Sequence, residues 1–154
     1  MVRQGTTIGG LVYVAAYAPD QGQSTLDLAL ANPTPIGEQL IQDPYGFLRL
    51  TREGIFRDFA PDLSVVERRI LNAAQAPIAL QAFGAPVTAP AWKTKPCWFL
   101  IAAHDRAIAP QQQAAAARNM KAVTTTLPAN HVALLSDPYE VAAFIGKAAA
   151  TVGR

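Results

Sequence analysis

Two stretches of the chain are apolar without a break, and both read as strands buried on each face. "LVYVAAY" (Leu11–Tyr17) and "CWFLIAA" (Cys97–Ala103) are short, bounded by polar or proline-bearing loops, and lack the alternation of a half-exposed strand. That is the pattern of strands inside a parallel sheet. "AVTTTL" (Ala122–Leu127) reads as a third strand. Helical patterning fills the gaps. "TLDLALAN" is a short helix that must stop before Pro33. "DLSVVERRILNAAQ" opens a helix in which Ser64 and Glu67 have capping-box spacing. "APIALQAFGAPVTAP" predicts a further short helix ended by Gly84 and Pro86. "PQQQAAAARNM" begins with Pro110 at a helix start. The last helix, "DPYEVAAFIGKAAATV", is predicted to take Asp137 as cap, Pro138 in its first position and Glu140 three residues past the cap.

The segment from Asn32 to about Pro61 reads as irregular, with Pro33, Pro35 and Pro44. Within it "GFLRLTREGIFRDF" predicts a small hairpin turning at Glu53-Gly54. From residue 96 onward the order is strand, helix, strand, helix. This is a parallel α/β unit for which right-handed crossovers are expected.

Composition narrows the function classes. At 154 residues the chain is one domain by length, 51% hydrophobic and only 16% charged, which fits a globular protein with a packed core. The net charge of +2 is spread through mixed segments such as "VVERRI", and no basic stripe alternates with aromatics, so no nucleic acid is expected as partner. The single cysteine, Cys97, lies within an apolar run, reads as a small buried hydrophobe, and fits a reducing compartment. "MVRQGTTIGGLVYVAAYA" has the outline of a signal peptide. Its apolar part is short and rich in valine and tyrosine, however, and a buried strand reads better. No run is long enough to span a bilayer. The expectation is a cytoplasmic protein with no membrane partner. Two histidines without a ligand-spaced cluster leave nothing to hold zinc, and no cofactor is expected.

Functional groups of a parallel α/β sheet collect in the loops leaving the C-terminal ends of its strands. Two such loops carry pointed chemistry. Asp105 follows the second apolar strand, and His131, in "LPANHVALLSDP", follows the third. A carboxylate and an imidazole on neighbouring loops form the acid–histidine half of a catalytic triad. Equally, Asp105-Arg106 reads as a simple turn and His131 as a surface residue. His104 reads as structural at most.

"LVYVAAYAPDQGQS", "PAWKTKPCWFLIAAHDRAIAPQ" and "ANHVALLSDPYEVAAFI" resemble, in that order, the C-terminal part of the α/β-hydrolase superfamily. The nearest group is the small bacterial esterase-like hydrolases related to plant hydroxynitrile lyases and methylesterases. The resemblance covers nearly the whole chain, through Asp105-Arg-x-Ile-x-Pro110, the His131 loop and Trp92-Lys-Thr-Lys-Pro96. It implies a partial α/β-hydrolase fold, with about three neighbouring parallel strands flanked by helices. Residues 1–154 then form one domain, with a cap-like helical insertion over about 32–90. It also implies Asp105 as triad acid, His131 as triad base and a small carboxylic ester as substrate. Hydroxynitrile-lyase chemistry is disfavoured, because Val132 stands where that branch has lysine.

The resemblance also leaves a gap. The family sets its serine on a Gly-x-Ser-x-Gly elbow ahead of the acid and histidine. "MVRQGTTIGG" falls after that elbow and contains no serine. Ser24, Ser64 and Ser136 are poor substitutes. The expectations are a truncated hydrolase, inactive alone, or a non-catalytic module surviving for binding or assembly. In either case Leu11–Tyr17 becomes an unpaired edge that favours a homo-oligomer or pairing through residues 11–17.

Overall fold

The computed structural model describes residues 8–152. The reading of residues 1–7 as the end of a helix lies outside the described residues. Three parallel strands form the main sheet, in the order β1 (Leu11–Val14), β5 (Cys97–Ala102), β6 (Val123–Leu127). Leu11 pairs with Cys97, and Trp98 pairs with Val123. β5 is buried almost throughout because it alone has a neighbour on each side and helices over both faces. Its alternation sorts the core. Trp98 and Leu100 pack with Ala133, Val141 and Phe144, while Cys97 and Phe99 pack with Ala117 and Met120. The Tyr13 and Phe99 rings stack at 5.6 Å.

Helices α5 (Pro110–Asn119) and α7 (Pro138–Val152) follow β5 and β6 as expected, and α1 (Thr25–Ala31) and α3 (Val65–Ala74) also form. Both cap in the same way. The Ser24 and Ser64 hydroxyls accept the Asp27 and Glu67 N–H groups, and those carboxylates accept the serine N–H groups in return. At the last helix one expectation needs correction and one holds in part, since Asp137 stands at the cap position directly before Pro138 but caps through its main chain alone. A short helix, α6 (Ala133–Ser136), precedes α7 where a loop is expected. The Asp137 carboxylate accepts the Ser136 hydroxyl at 2.8 Å, and it is the main-chain carbonyl of Asp137 that receives the N–H of Val141.

The "LVYVAAY" strand ends early. Ala15, buried at 4%, is held at φ +44°, a left-handed conformation that alanine rarely adopts. That kink ends β1 and turns Ala16 and Tyr17 toward the space above the sheet. As expected for this chain, β1 is an edge strand among the described residues, and Val12 on it is 37% exposed.

The region from residue 32 is more ordered than its prolines imply. A 3₁₀ turn (Pro35–Gln39) leads into β2 (Leu40–Gln42), which pairs antiparallel with β3 (Phe47–Leu50); β3 in turn pairs with β4 (Ile78–Ala79), just before the short helix α4 (Leu80–Gly84). The insertion is therefore a small mixed α/β layer rather than a purely helical one. Its hairpin turns at Asp43–Gly46, not at Glu53-Gly54. The Asp43 carboxylate accepts the N–H groups of Tyr45 and Phe47, and Gly46 supplies φ +83°.

After β3 the chain becomes helical, as α2 (Arg52–Gly54) and a π-helical turn (Ile55–Phe59) in which the Ala60 N–H reaches back to the Ile55 carbonyl. Gly54 allows close packing there, since a Cβ at that position would sit 2.5 Å from the Gln39 Cβ.

Cys97 is buried at 5%, and burial pushes its thiol above the ordinary range. The folded state then holds this proton more tightly than the unfolded one. The associated stability is fully present below the unfolded value, about 8.5, and is lost as pH rises through the folded value. Native protein at pH 8 is expected to resist iodoacetamide and to react fully once denatured. Rapid native labelling, read by mass spectrometry, would contradict that burial.

Candidate active site

The ends of β5 and β6 bring the two pointed loops side by side. Past Ala102 the chain stays tied to its neighbour, with the Ala103 N–H on the Leu127 carbonyl at 2.9 Å and the His104 N–H on the Ala129 carbonyl at 3.0 Å. Asp105 is buried, and the His131 side chain is 21% exposed. His131 Nδ1 lies 2.9 Å from Asp105 Oδ2. An ionised carboxylate can only accept, so this contact puts the proton on Nδ1 and leaves the lone pair on Nε2.

The two oxygens of Asp105 have different partners. Oδ1 accepts the N–H groups of Ala107 at 2.7 Å and Ile108 at 3.0 Å, closing an Asx turn. Oδ2 faces His131 and also accepts Gln113 Nε2 at 2.7 Å. Four donors therefore fix the carboxylate.

Gln113 is the residue that sequence reasoning missed. It is fully buried, its Oε1 accepts the Ala102 N–H at 3.0 Å, and its Nε2 also donates to the Ile108 carbonyl at 2.9 Å. The signal was its position four residues before Ala117, the other buried residue of α5. A polar side chain on an inward face needs a buried partner.

The cap-like layer holds both loops. Arg106 Nε donates to the buried Asp58 at 2.7 Å, the Thr34 hydroxyl donates to the Ala107 carbonyl at 2.9 Å, and the Asn130 N–H donates to Asp62 at 2.9 Å. The Phe59 ring packs on His131, with centroids 4.9 Å apart. Arg106 thus joins a cap residue rather than merely forming a turn. Trp92 Nε1 donates to the Pro19 carbonyl at 3.0 Å.

His131 borders a cavity of about 980 Å³ between the sheet edge and this layer, which Ala15, Ala16 and Tyr17 also line. Burial, and after it the negative charge of Asp105, push the Tyr17 phenol above its ordinary value, so it stays a neutral hydroxyl. His104 is exposed. The chain's three serines are engaged elsewhere, Ser24 and Ser64 as helix caps and Ser136 on Asp137.

Residues 2–144 match the family model described as "Alpha/beta hydrolase family". No curated protein matches the chain in sequence. Solved structures do match in fold. A polyneuridine aldehyde esterase superposes with a TM-score of 0.74 at 14% identity, over 92% of this chain and 62% of its own. A methylesterase from Arabidopsis gives 0.69 at 19% identity, over 94% and 60%. A pyrethroid hydrolase from Sphingobium faniae JZ-2 gives 0.64 at 19% identity, over 90% and 60%. The chain thus spans about three fifths of the length of these structures, and at these identities the likeness is one of fold.

Proposed function

The chain belongs to the alpha/beta hydrolase family, and on that premise we propose that Asp105 and His131 are the acid and base of a serine hydrolase acting on small-molecule carboxylic esters. The observation that carries the reading is the 2.9 Å contact between His131 Nδ1 and one oxygen of a carboxylate whose two oxygens together take three further donors, at the border of a cavity. In this reading His131 Nε2 takes the proton of the attacking serine and then passes it to the leaving alcohol. Asp105 keeps the ring in the required tautomer and steadies the imidazolium that forms between the two steps. The nucleophile comes from outside the 154 residues, as does the oxyanion-stabilising loop, because each serine present already serves a cap or a neighbouring side chain.

The 154-residue chain alone should therefore resist labelling by a fluorophosphonate probe. It should hydrolyse p-nitrophenyl butyrate no faster than its His131→Ala variant. A labelled serine would place the nucleophile inside this chain and overturn its assignment to a segment outside the 154 residues. Neither nucleic acid, a membrane nor a cofactor has a part in the proposal.

One observation favours a second reading, a non-catalytic module that works by assembly. β1 has a strand on one side only among the described residues, with Ile8 50% and Val12 37% exposed beside it. An edge of this kind pairs readily with another strand. A clean monomer in sedimentation at micromolar concentration would sink the self-pairing form of this reading.

A further inference from the structure

The main sheet alone does not hold the acid and the histidine together. Beyond the ends of β5 and β6 the two loops share two main-chain bonds, from the N–H groups of Ala103 and His104 to the carbonyls of Leu127 and Ala129. Among the described residues no further main-chain bond joins them. The N–H of Asn130, the residue just before His131, turns away from the sheet and donates to the Asp62 carboxylate at 2.9 Å. His131 therefore stands where support from the sheet ends and support from the cap-like layer begins.

Three contacts of that support come from five consecutive residues. Asp58 Oδ1 accepts Nε of Arg106, one residue past Asp105, at 2.7 Å. The Phe59 ring packs on the His131 ring, with centroids 4.9 Å apart and planes tilted by 47°, and it also belongs to the hydrocarbon wall of the cavity. Asp62 takes the Asn130 N–H.

The π-helical turn arranges the first two. Closed by the Ala60 N–H on the Ile55 carbonyl at 3.0 Å, it sends two consecutive residues, Asp58 and Phe59, to different loops. Turns of this kind are rare and frequent at functional sites. Asp58 is 3% exposed. A carboxylate that deep needs a partner, and among the described residues Arg106 is the one it has.

We propose that residues 58–62 are a brace that sets the distance and angle between Asp105 and His131. Asp58 is the positioning residue of the acid loop and Asp62 that of the histidine loop. Each acts through the residue next to the one it positions. The brace rests on the hydrolase reading only for the use to which the pair is put, since the contact it holds is present in either reading. A displacement of about 1 Å in such a pair costs on the order of a hundredfold in rate, so support of this kind matters to catalysis.

The test uses the 154-residue chain and the His131 Nδ1 proton, whose exchange with water reports how firmly Asp105 Oδ2 holds it. Asp62 is exposed, so Asp62→Ala should unfold thermally as the unchanged chain does. It should nevertheless speed exchange of the Nδ1 proton about fivefold, the scale of one hydrogen bond of support. Asp62→Asn keeps an acceptor oxygen for the Asn130 N–H and should restore slow exchange. Asp58→Ala should give a similar gain by freeing the acid loop, and the two together more than either. Glu38→Ala removes an exposed carboxylate of the same layer and should change nothing, which separates lost support from lost negative charge.

Exchange indifferent to both Asp58→Ala and Asp62→Ala would overturn the brace and leave the acid–histidine pair standing. So would an equal acceleration by Glu38→Ala, or a failure of Asp62→Asn to restore slow exchange. An unchanged chain with no proton on His131 Nδ1 would overturn both.

Discussion

Replacing Asp105 with alanine is expected to destabilise the chain by about 4 kcal/mol, more than any other single substitution at the site. The reason lies in what the carboxylate leaves behind. The Ala107 and Ile108 N–H groups and His131 Nδ1 lose their acceptor, and Gln113 Nε2 keeps only the Ile108 carbonyl. Asp105 is buried, so water cannot replace these bonds without entering the end of β5. The loss also spreads to the cap-like layer, because the turn closed by Oδ1 carries Arg106 to Asp58 and presents the Ala107 carbonyl to Thr34. Urea unfolding followed by far-ultraviolet circular dichroism measures the effect. Asp105→Asn should cost less, since it retains one acceptor oxygen for the turn. A shift below about 1 kcal/mol for the alanine variant would mean that the carboxylate is not the organising group described here.

His131→Ala is expected to behave in the opposite way, with a small effect on stability and a large one on turnover. The ring gives up one hydrogen bond and its packing on Phe59, about 1–2 kcal/mol. Within a longer polypeptide that joins these residues to a Gly-x-Ser-x-Gly elbow, the same substitution should lower kcat on an ester by about a million-fold, the scale on which a triad histidine acts as one unit with its serine. KM should change little, because the hydrocarbon walls remain. Asp105→Asn in that polypeptide should cost about 10⁴-fold through the wrong tautomer. A variant lacking His131 that retained a tenth of the activity would remove it from the mechanism.

The contrast between these two residues also explains what was legible in the sequence. Signals that act within a few residues were readable. Ser64 and Glu67 cap α3, the unbroken apolar run makes β5, and Pro110 starts α5. That Asp105 and His131 come close, 2.9 Å apart, was readable because loops leaving neighbouring parallel strands lie side by side at one sheet edge. Signals that depend on a distant partner were not readable. "FLRL" was recognised as a strand, but its neighbours are β2 and the two residues of β4. The Asp43-Pro44-Tyr45-Gly46 turn that makes its hairpin lies ahead of it, and Gly54 mimicked a turn while serving to pack on Gln39. The π-helical turn at Ile55–Phe59 lies within the cap-like layer with Ile55 and Asp58 buried, and no local pattern announces it. Gln113 was hidden among three glutamines, only one of which is fully buried. The cavity is likewise a product of two layers meeting, with walls drawn from residues scattered across much of the chain.

This chain carries an aspartate-oriented histidine at the border of an apolar cavity. Long-range ¹⁵N–¹H correlation of the imidazole-labelled chain tests it most directly, and with only two histidines the spectrum assigns itself once His104→Gln removes one set of peaks. Near pH 8 His131 is expected to carry its proton on Nδ1, in a slowly exchanging and strongly downfield resonance. Asp105→Asn should abolish that resonance while leaving the exposed His104 unchanged. A His131 protonated on Nε2, or averaging between tautomers like His104, would contradict it.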